Sequence, residues 1–190
     1  IGKYLDVGCF HPTKHNNTSL FYKNGWQGMN IDLNPLTIDL FNFMRPKDIN
    51  INIGISGTES EKKLYFIDEL NTQNTLDENQ LNFLKNHHNI KDNEITKKNI
   101  KTKKLTSILD EHKFYHIDFM NLDIEGHELD VIKSIDFRKI TIMYLCIEMI
   151  EHNKKSLQNN NEIRDILIQN NYDLIKTFDY NYIYKKNLSY

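Results

Sequence analysis

The sequence predicts an α/β fold: a mostly parallel sheet flanked by helices, with an antiparallel hairpin at its C-terminal end. Three observations lead there. Apolar runs of strand length alternate with amphipathic segments of helical length, the connections carry Gly, Pro and Asn, and successive strand-like runs stop at acidic residues.

The first strand is read over Tyr4 to Cys9, a short apolar run before a Pro-containing loop, which suits a buried parallel strand. Asn16 to Asn24 carries Leu20, Phe21 and Tyr22 and stops at Gly25, as a short helix with a glycine cap would. Gly28 to Leu33 is the second strand. Proline after Asn34 opens a helix over 35–45, with Leu36, Leu40, Phe43 and Met44 taken as its apolar face. Ile49, Ile51, Ile53 and Ile55 alternate with polar residues in one third strand that runs into Ser56. Regularity drops from Gly57. A hairpin and polar insertion over 57–99, with a strand near Lys63 to Asp68 and a helix near Glu78 to Lys85, is a candidate substrate lid. Ile100 to Leu105 reads as a strand, and Ser107 with Asp110 as the capping box of a helix reaching Lys113. Strands at His116 to Ile124 and Met143 to Ile150, helices at 125–135 and 161–171, and a hairpin turning at Asp179 to Asn181 complete one domain over 1–190 that begins at its first strand.

Composition narrows the partners. A net charge of −2 gives no global basic excess for nucleic acid and favours small, roughly neutral ligands. The five lysines between Lys97 and Lys104 lack interleaved aromatics and read as a solvated face. No apolar run is long enough to span a bilayer and no signal peptide is visible, so a cytoplasmic protein is expected. Cys9 and Cys146 sit in apolar runs as reduced core thiols. Alanine is absent while Asn, Ile and Lys abound, a codon bias that leaves the Asn-Asn pairs with little functional content.

In α/β sheets ligands sit beyond the carboxyl ends of the strands. Asp6 and Gly8, Asp32, Ser56, Asp123 with Glu125, and Glu148 close five of the strands. Asp32 follows Gly8 at close to the spacing of about 20 residues at which an acid accepts from ribose hydroxyls in nucleoside-binding folds. Gly8, however, is followed by Cys9, Phe10, His11 and Pro12, with no second glycine and no basic residue for a pyrophosphate. A cofactor without phosphate and with a cationic sulfonium suits that loop better than NAD. Asp123, Glu125 and His127 crowd one strand-to-helix junction in NLDIEGHELDVIKS, which is costly unless a ligand or cation offsets it.

DVGCFHP, FYKNGWQGMNIDLNP, NIGIS, and above all IDFMNLDIEGHELDVIKSIDF followed by YLCIEM resemble the FkbM family of S-adenosylmethionine-dependent methyltransferases. The resemblance implies a Rossmann-like sheet and methyl transfer to oxygen, on a saccharide such as a surface-glycan precursor or a similar hydroxylated small molecule. It implies S-adenosylmethionine contacts at Asp6, Gly8, Cys9 and Phe10 in the first turn, at Asp32 and Leu33, at Ile55 and Ser56, and at Asp123. Two departures from the family stand out: His11-Pro12 occupies the place of its usual second glycine, and the chain opens directly on the first strand, from a trimmed segment or a pocket open on that side.

Methyl transfer needs oxygen and methyl held in line at about 3 to 3.5 Å and a base for the hydroxyl proton. His127 is the first candidate base, with Asp123 or Glu125 to orient it; His11 is the second, and Glu148 with His152 a third. Asp123, Glu125, His127 and Glu148 also offer ligands for a divalent ion, but at no recognised metal spacing, so no metal is expected. Two alternatives stay open: a nicotinamide-dependent sugar oxidoreductase or epimerase, and a non-catalytic binding protein on the same fold.

Overall fold

The computed structural model describes residues 1–67, 74–76, 78–88, 90–151 and 153–188. Along them run β1 (Lys3–Val7), α1 (Ser19–Lys23), β2 (Gln27–Asp32), α2 (Pro35–Met44), β3 (Ile49–Asn52), β4 (Gly54–Ile55), β5 (Ser60–Phe66), α3 (Glu78–His88) and a 3-10 turn (Asp92–Glu94). Then follow β6 (Thr96–Lys103), α4 (Leu105–Glu111), β7 (His116–Leu122), α5 (Glu128–Ser134), β8 (Thr141–Glu148), α6 (Lys154–Gln169), β9 (Tyr172–Phe178) and β10 (Asn181–Lys186).

The main sheet has the order β3-β2-β1-β7-β8-β10-β9. Its first five strands are parallel, and β10 inserts antiparallel between β8 and β9. β1 is central because Tyr4, Leu5, Asp6 and Val7 are all buried: both faces of the strand lie under helices. Leu5 stands level with Met29 of β2 and Met120 of β7 in a core continued by Ile31, Leu122, Val131, Ile132 and Leu145. Strand order reverses between β1 and β7, the switch point beyond whose carboxyl ends a parallel sheet opens a crevice.

Several elements differ from their expected form, each for a local reason. The isoleucine alternation from 49 to 55 spans two strands: the Ile53 amide donates to the Asp32 carbonyl at 3.0 Å, and the chain then leaves β3 for a second sheet, β4-β6-β5. In that sheet β6 pairs antiparallel with the whole of β5, so both strands begin earlier than expected. α2 buries Thr37, Ile38 and Phe41 while Leu36, Phe43 and Met44 are exposed, so the face that packs is not the one with the largest apolar residues. Arg45 continues the buried face one turn beyond Phe41. α4 starts at Leu105 after Lys104 with no side-chain cap, so Ser107 lies inside the helix and not at a capping box. α6 starts at Lys154, earlier than expected, because Asn153 Oδ1 accepts from the amides of Lys155 and Ser156. Among the described residues no helix is long and apolar enough to cross a membrane.

The ends of β1 and β7 meet at Gly8. The Asp123 amide donates to the Val7 carbonyl at 3.0 Å, and a Cβ on Gly8 would lie 1.7 Å from the Asp123 carbonyl oxygen. Gly8 also has φ of 78°, where side chains are strained. Close approach to the neighbouring loop thus requires this glycine. We expect Gly8→Ala to lower the unfolding free energy by about 3 kcal/mol or more in chemical denaturation; a loss below about 1 kcal/mol would show that the two strand ends can separate freely.

Candidate active site

Beyond the carboxyl ends of β1, β2, β7 and β8 lies a cavity of about 320 Å³. Asp6, Asp32, Asp123, Glu125 and Glu148 all line it, and among the described residues it has no lysine or arginine in its walls. Four strand ends thus deliver five acids to one space.

Asp6 is fully enclosed. Its carboxylate accepts from Thr18 Oγ1 at 2.7 Å, Asn16 Nδ2 at 2.8 Å and Asn121 Nδ2 at 3.0 Å. Burial pushes its pKa up; the three donors, and the Arg45 charge behind them, pull against that.

Asp32 ends β2 with both oxygens engaged by backbone: Oδ2 accepts from the Phe10 amide at 2.9 Å and Oδ1 from the Asn34 amide at 2.8 Å. Phe10 adopts φ of 50°, which aims its N–H at that carboxylate. Each carboxylate oxygen has capacity for a second donor, which is what paired ribose hydroxyls supply. Crowding by protein atoms raises the Asp32 pKa to about 6.

Asp123, Glu125 and Glu148 bring oxygen atoms within 4.8 Å of one another, an arrangement that offers three ligands to a cation. Asp123 and Glu148 are hydrogen-bonded side chain to side chain, which requires a proton between them. Burial raises both pKa values, and the neighbouring carboxylates raise that of Glu148 further. Glu128 plays a structural part instead. Its carboxylate accepts from the amides of Ile124 and Gly126 and ties the loop to the start of α5, and burial lifts it to about 7.

Several expected site residues lie elsewhere. His127 does not line the cavity; the chain passes Glu125 at φ 55° and Gly126 at φ 104°, and the ring turns its Nδ1 to Asp130 at 3.4 Å. His11 also stays outside, its Nδ1 accepting from the amides of Thr13 and Lys14 at 3.1 Å, and its pKa is lowered by burial and by the nearby Lys14 and Arg45 charges. Ser56 is buried behind the wall and accepts from the Thr58 amide at 3.3 Å, while Ile55, Cys9, Phe10 and Leu33 do face the space. The Cys9 thiol is pushed well up by burial and the nearby Asp32 and Asp6, so it stays protonated and inert. His152 is outside the described residues. Sequence reasoning missed Asn16, Asn17, His15 and Asn74, all in the walls, together with Arg45 behind them. Position in a loop directly after β1 was the available signal for the first three.

The methyltransferase FkbM domain family matches residues 6–174 of the chain. A crystal structure of a SAM-dependent methyltransferase from Methanosarcina mazei aligns over 98% of this chain and 93% of that one, with 12% sequence identity and a TM-score of 0.42. No curated relative matches.

The crowded acids have a measurable consequence. Asp32, Asp123, Glu128 and Glu148 all have folded pKa values raised by burial. Between roughly pH 4 and 7 the folded chain therefore holds protons that an unfolded chain, with carboxyl pKa values of about 4, has released. These groups weaken the fold as pH rises through that window, the reverse of the usual carboxylate contribution. We expect the thermal midpoint of the ligand-free protein to be several degrees higher, on the order of 4 °C, at pH 5.5 than at pH 7.5. A midpoint that falls steadily on acidification would show that the acids are far better compensated.

Proposed function

The chain belongs to the methyltransferase FkbM domain family, and from that membership we propose that it is an S-adenosylmethionine-dependent O-methyltransferase acting on a neutral hydroxylated acceptor, a saccharide foremost. One observation carries the choice of acceptor: the cavity is walled by five carboxylates, with no lysine or arginine among its described residues. A phosphorylated or acidic sugar would find repulsion there and no counter-charge.

The residues fit the cofactor. Asp32, already oriented by Phe10 and Asn34, would take the ribose hydroxyls, and the apolar Ile31, Leu33, Ile53 and Ile55 would flank the adenine. The acidic walls near Asp6 and Asp123 suit a ligand with cationic sulfonium and ammonium groups, whereas the described walls offer the phosphates of a dinucleotide no lysine or arginine. When bound, S-adenosylmethionine supplies an electrophilic methyl group.

What the protein's own residues add is position and a proton acceptor. His127 faces Asp130, so the base role passes to the Asp123–Glu148 pair, with Glu125 beside it. That pair shares one proton, which bridges the two carboxyl groups: a free oxygen of the ionised partner would accept the acceptor's hydroxyl proton, while the bridge holds that oxygen in a fixed orientation. Enclosure sharpens both effects, since a buried carboxylate is less hydrated and its hydrogen bonds are stronger. Asn74 and Leu76 extend the wall from the polar insertion, which supports a part for the 57–99 segment in shaping the acceptor end.

Two measurements test this. Release of S-adenosylhomocysteine is followed with neutral glycosides and with sugar phosphates, and turnover with the phosphates alone would sink the acceptor reading. For the base, Glu148→Gln and Asp123→Asn are expected to lower kcat about a hundredfold at saturating cofactor, Asp123→Asn with a loss of cofactor affinity besides, and His127→Ala to change kcat less than about threefold. Wild-type kcat in both carboxamide variants would remove the pair from the mechanism.

A further inference from the structure

One buried cation takes no direct part in lining the cavity. Arg45 is 2% exposed, and among the described residues no carboxylate lies within ion-pair distance of its guanidinium. Nη1 donates to Thr18 Oγ1 at 2.8 Å and more weakly to Tyr4 Oη at 3.3 Å and Asn30 Oδ1 at 3.5 Å; Nη2 donates to Asn16 Oδ1 at 2.8 Å and to the Pro12 carbonyl. The rings of Tyr4, Tyr22 and Phe41 surround it, with centroids 5.8, 5.4 and 4.9 Å away. A buried guanidinium without a carboxylate partner is costly to keep, and its shortest side-chain bonds, to Thr18 and Asn16, lead directly to the site.

Both are amphoteric groups, and Arg45 decides which way each one points. Asn16 Oδ1 accepts from Nη2 and from the Thr18 amide at 3.1 Å, so its Nδ2 is the end that faces Asp6 and also the Cys9 carbonyl. Thr18 Oγ1 accepts from Nη1, and with Asn16 Oδ1 already supplied by two donors its single proton goes to Asp6. A guanidinium fork suits this arrangement: two N–H bonds leave one plane for two different acceptors, which a lysine's point charge cannot match. A third bond, to Pro12, pins the middle of the segment between Asn16 and Phe10.

We propose that Arg45 is a positioning residue for the cofactor turn: through Asn16, Thr18 and Pro12 it fixes segment 9–18, the wall that carries Cys9, Phe10, Asn16 and Asn17, and aims two donors at Asp6. In a phosphate-binding sheet that turn is shaped by closely spaced glycines; here Gly8 stands alone and a side-chain clamp from the end of α2 holds the loop. The ligand side of the proposal rests on the methyltransferase reading; the clamp itself does not.

The test combines Arg45→Lys, Arg45→Met and Thr18→Val with two readouts. Amide hydrogen exchange of the cofactor-free protein reports the clamp, and S-adenosylhomocysteine affinity with kcat at saturating cofactor reports its use. For Arg45→Lys we expect exchange within 9–18 to rise about tenfold with β8 and β10 unchanged, and affinity to fall about tenfold while kcat stays within about threefold. Thr18→Val removes one arm and should give a smaller loss in both readouts, and the double variant with Arg45→Lys should fall short of the product of the two. Wild-type exchange and affinity in Arg45→Lys overturn the proposal, as does Arg45→Met lying closer to wild type than Arg45→Lys, since volume alone would then account for the residue. Where Arg45→Met does not fold, Arg45→Lys and Thr18→Val decide. A wild-type chain that binds no S-adenosylhomocysteine overturns the cofactor reading, and the exchange pattern still decides the clamp.

Discussion

A carboxylate with no exposure must find its donors inside the protein, and the course of the chain after β1 is the means by which Asp6 finds them. Asp6 sits in the most enclosed strand of the sheet, between β2 and β7, where water cannot solvate it. Its three partners come from two directions: Asn121 from the adjacent strand, Asn16 and Thr18 from the loop that leaves β1. To bring the loop back over its own strand the chain turns at Gly8 and again at Phe10, both at positive φ. The second turn delivers the Phe10 amide to Asp32, so satisfying the first acid also orients the second. Gly8 is fixed by the same geometry from the other side, since the Asp123 carbonyl occupies the space a side chain would need.

The same economy of position has a cost in electrostatics. Parallel strands end side by side, and here four of the ends carry acids that share one enclosed space. Charge repulsion adds to burial: Asp6 raises the pKa of Asp32 and Asp123, and Asp123 raises those of Glu148 and of the neighbouring Glu128. Such a cluster is tolerable in an empty site because protons can enter it. It becomes favourable when a cationic ligand enters and the protons can leave. Ligand affinity and empty-state stability therefore draw on one reservoir, and substitutions that neutralise the acids are expected to move the two in opposite directions.

Strand ends were legible in the sequence because they depend on local order: an apolar run, a stop, an acid. Asp6, Asp32, Asp123, Glu125 and Glu148 were found that way, and the parallel order with its C-terminal hairpin followed from the spacing of the runs. Side-chain direction was not legible. His127 lies in the right segment, but two successive positive-φ residues before it rotate the ring out of the cavity. The packed face of α2 differs from the expected one because Thr37, Phe41 and Arg45 recur at intervals of one turn, and a polar residue at each end hides the stripe. Asn16 and Asn17 vanished into an asparagine-rich composition; only the fold brings one to Asp6 and the other to Asn121.

The insertion is joined to the site by bonds that no local pattern announces. Thr75, buried, pairs with Tyr65 through reciprocal backbone hydrogen bonds, and its hydroxyl donates to the Glu125 carbonyl at 2.7 Å. Glu125 is the residue at positive φ from which the β7–α5 loop turns, so the second sheet braces that turn from outside while Glu128 braces it from within. Lys62 of β5 reaches Asp130 of α5 at 4.0 Å along the same seam. A loop held from both sides keeps its strained backbone without relying on a ligand to order it. The backbone that carries Asp123 and Glu125 is thus set by the fold itself, which is the condition under which the charges of a site are preorganised rather than flexible.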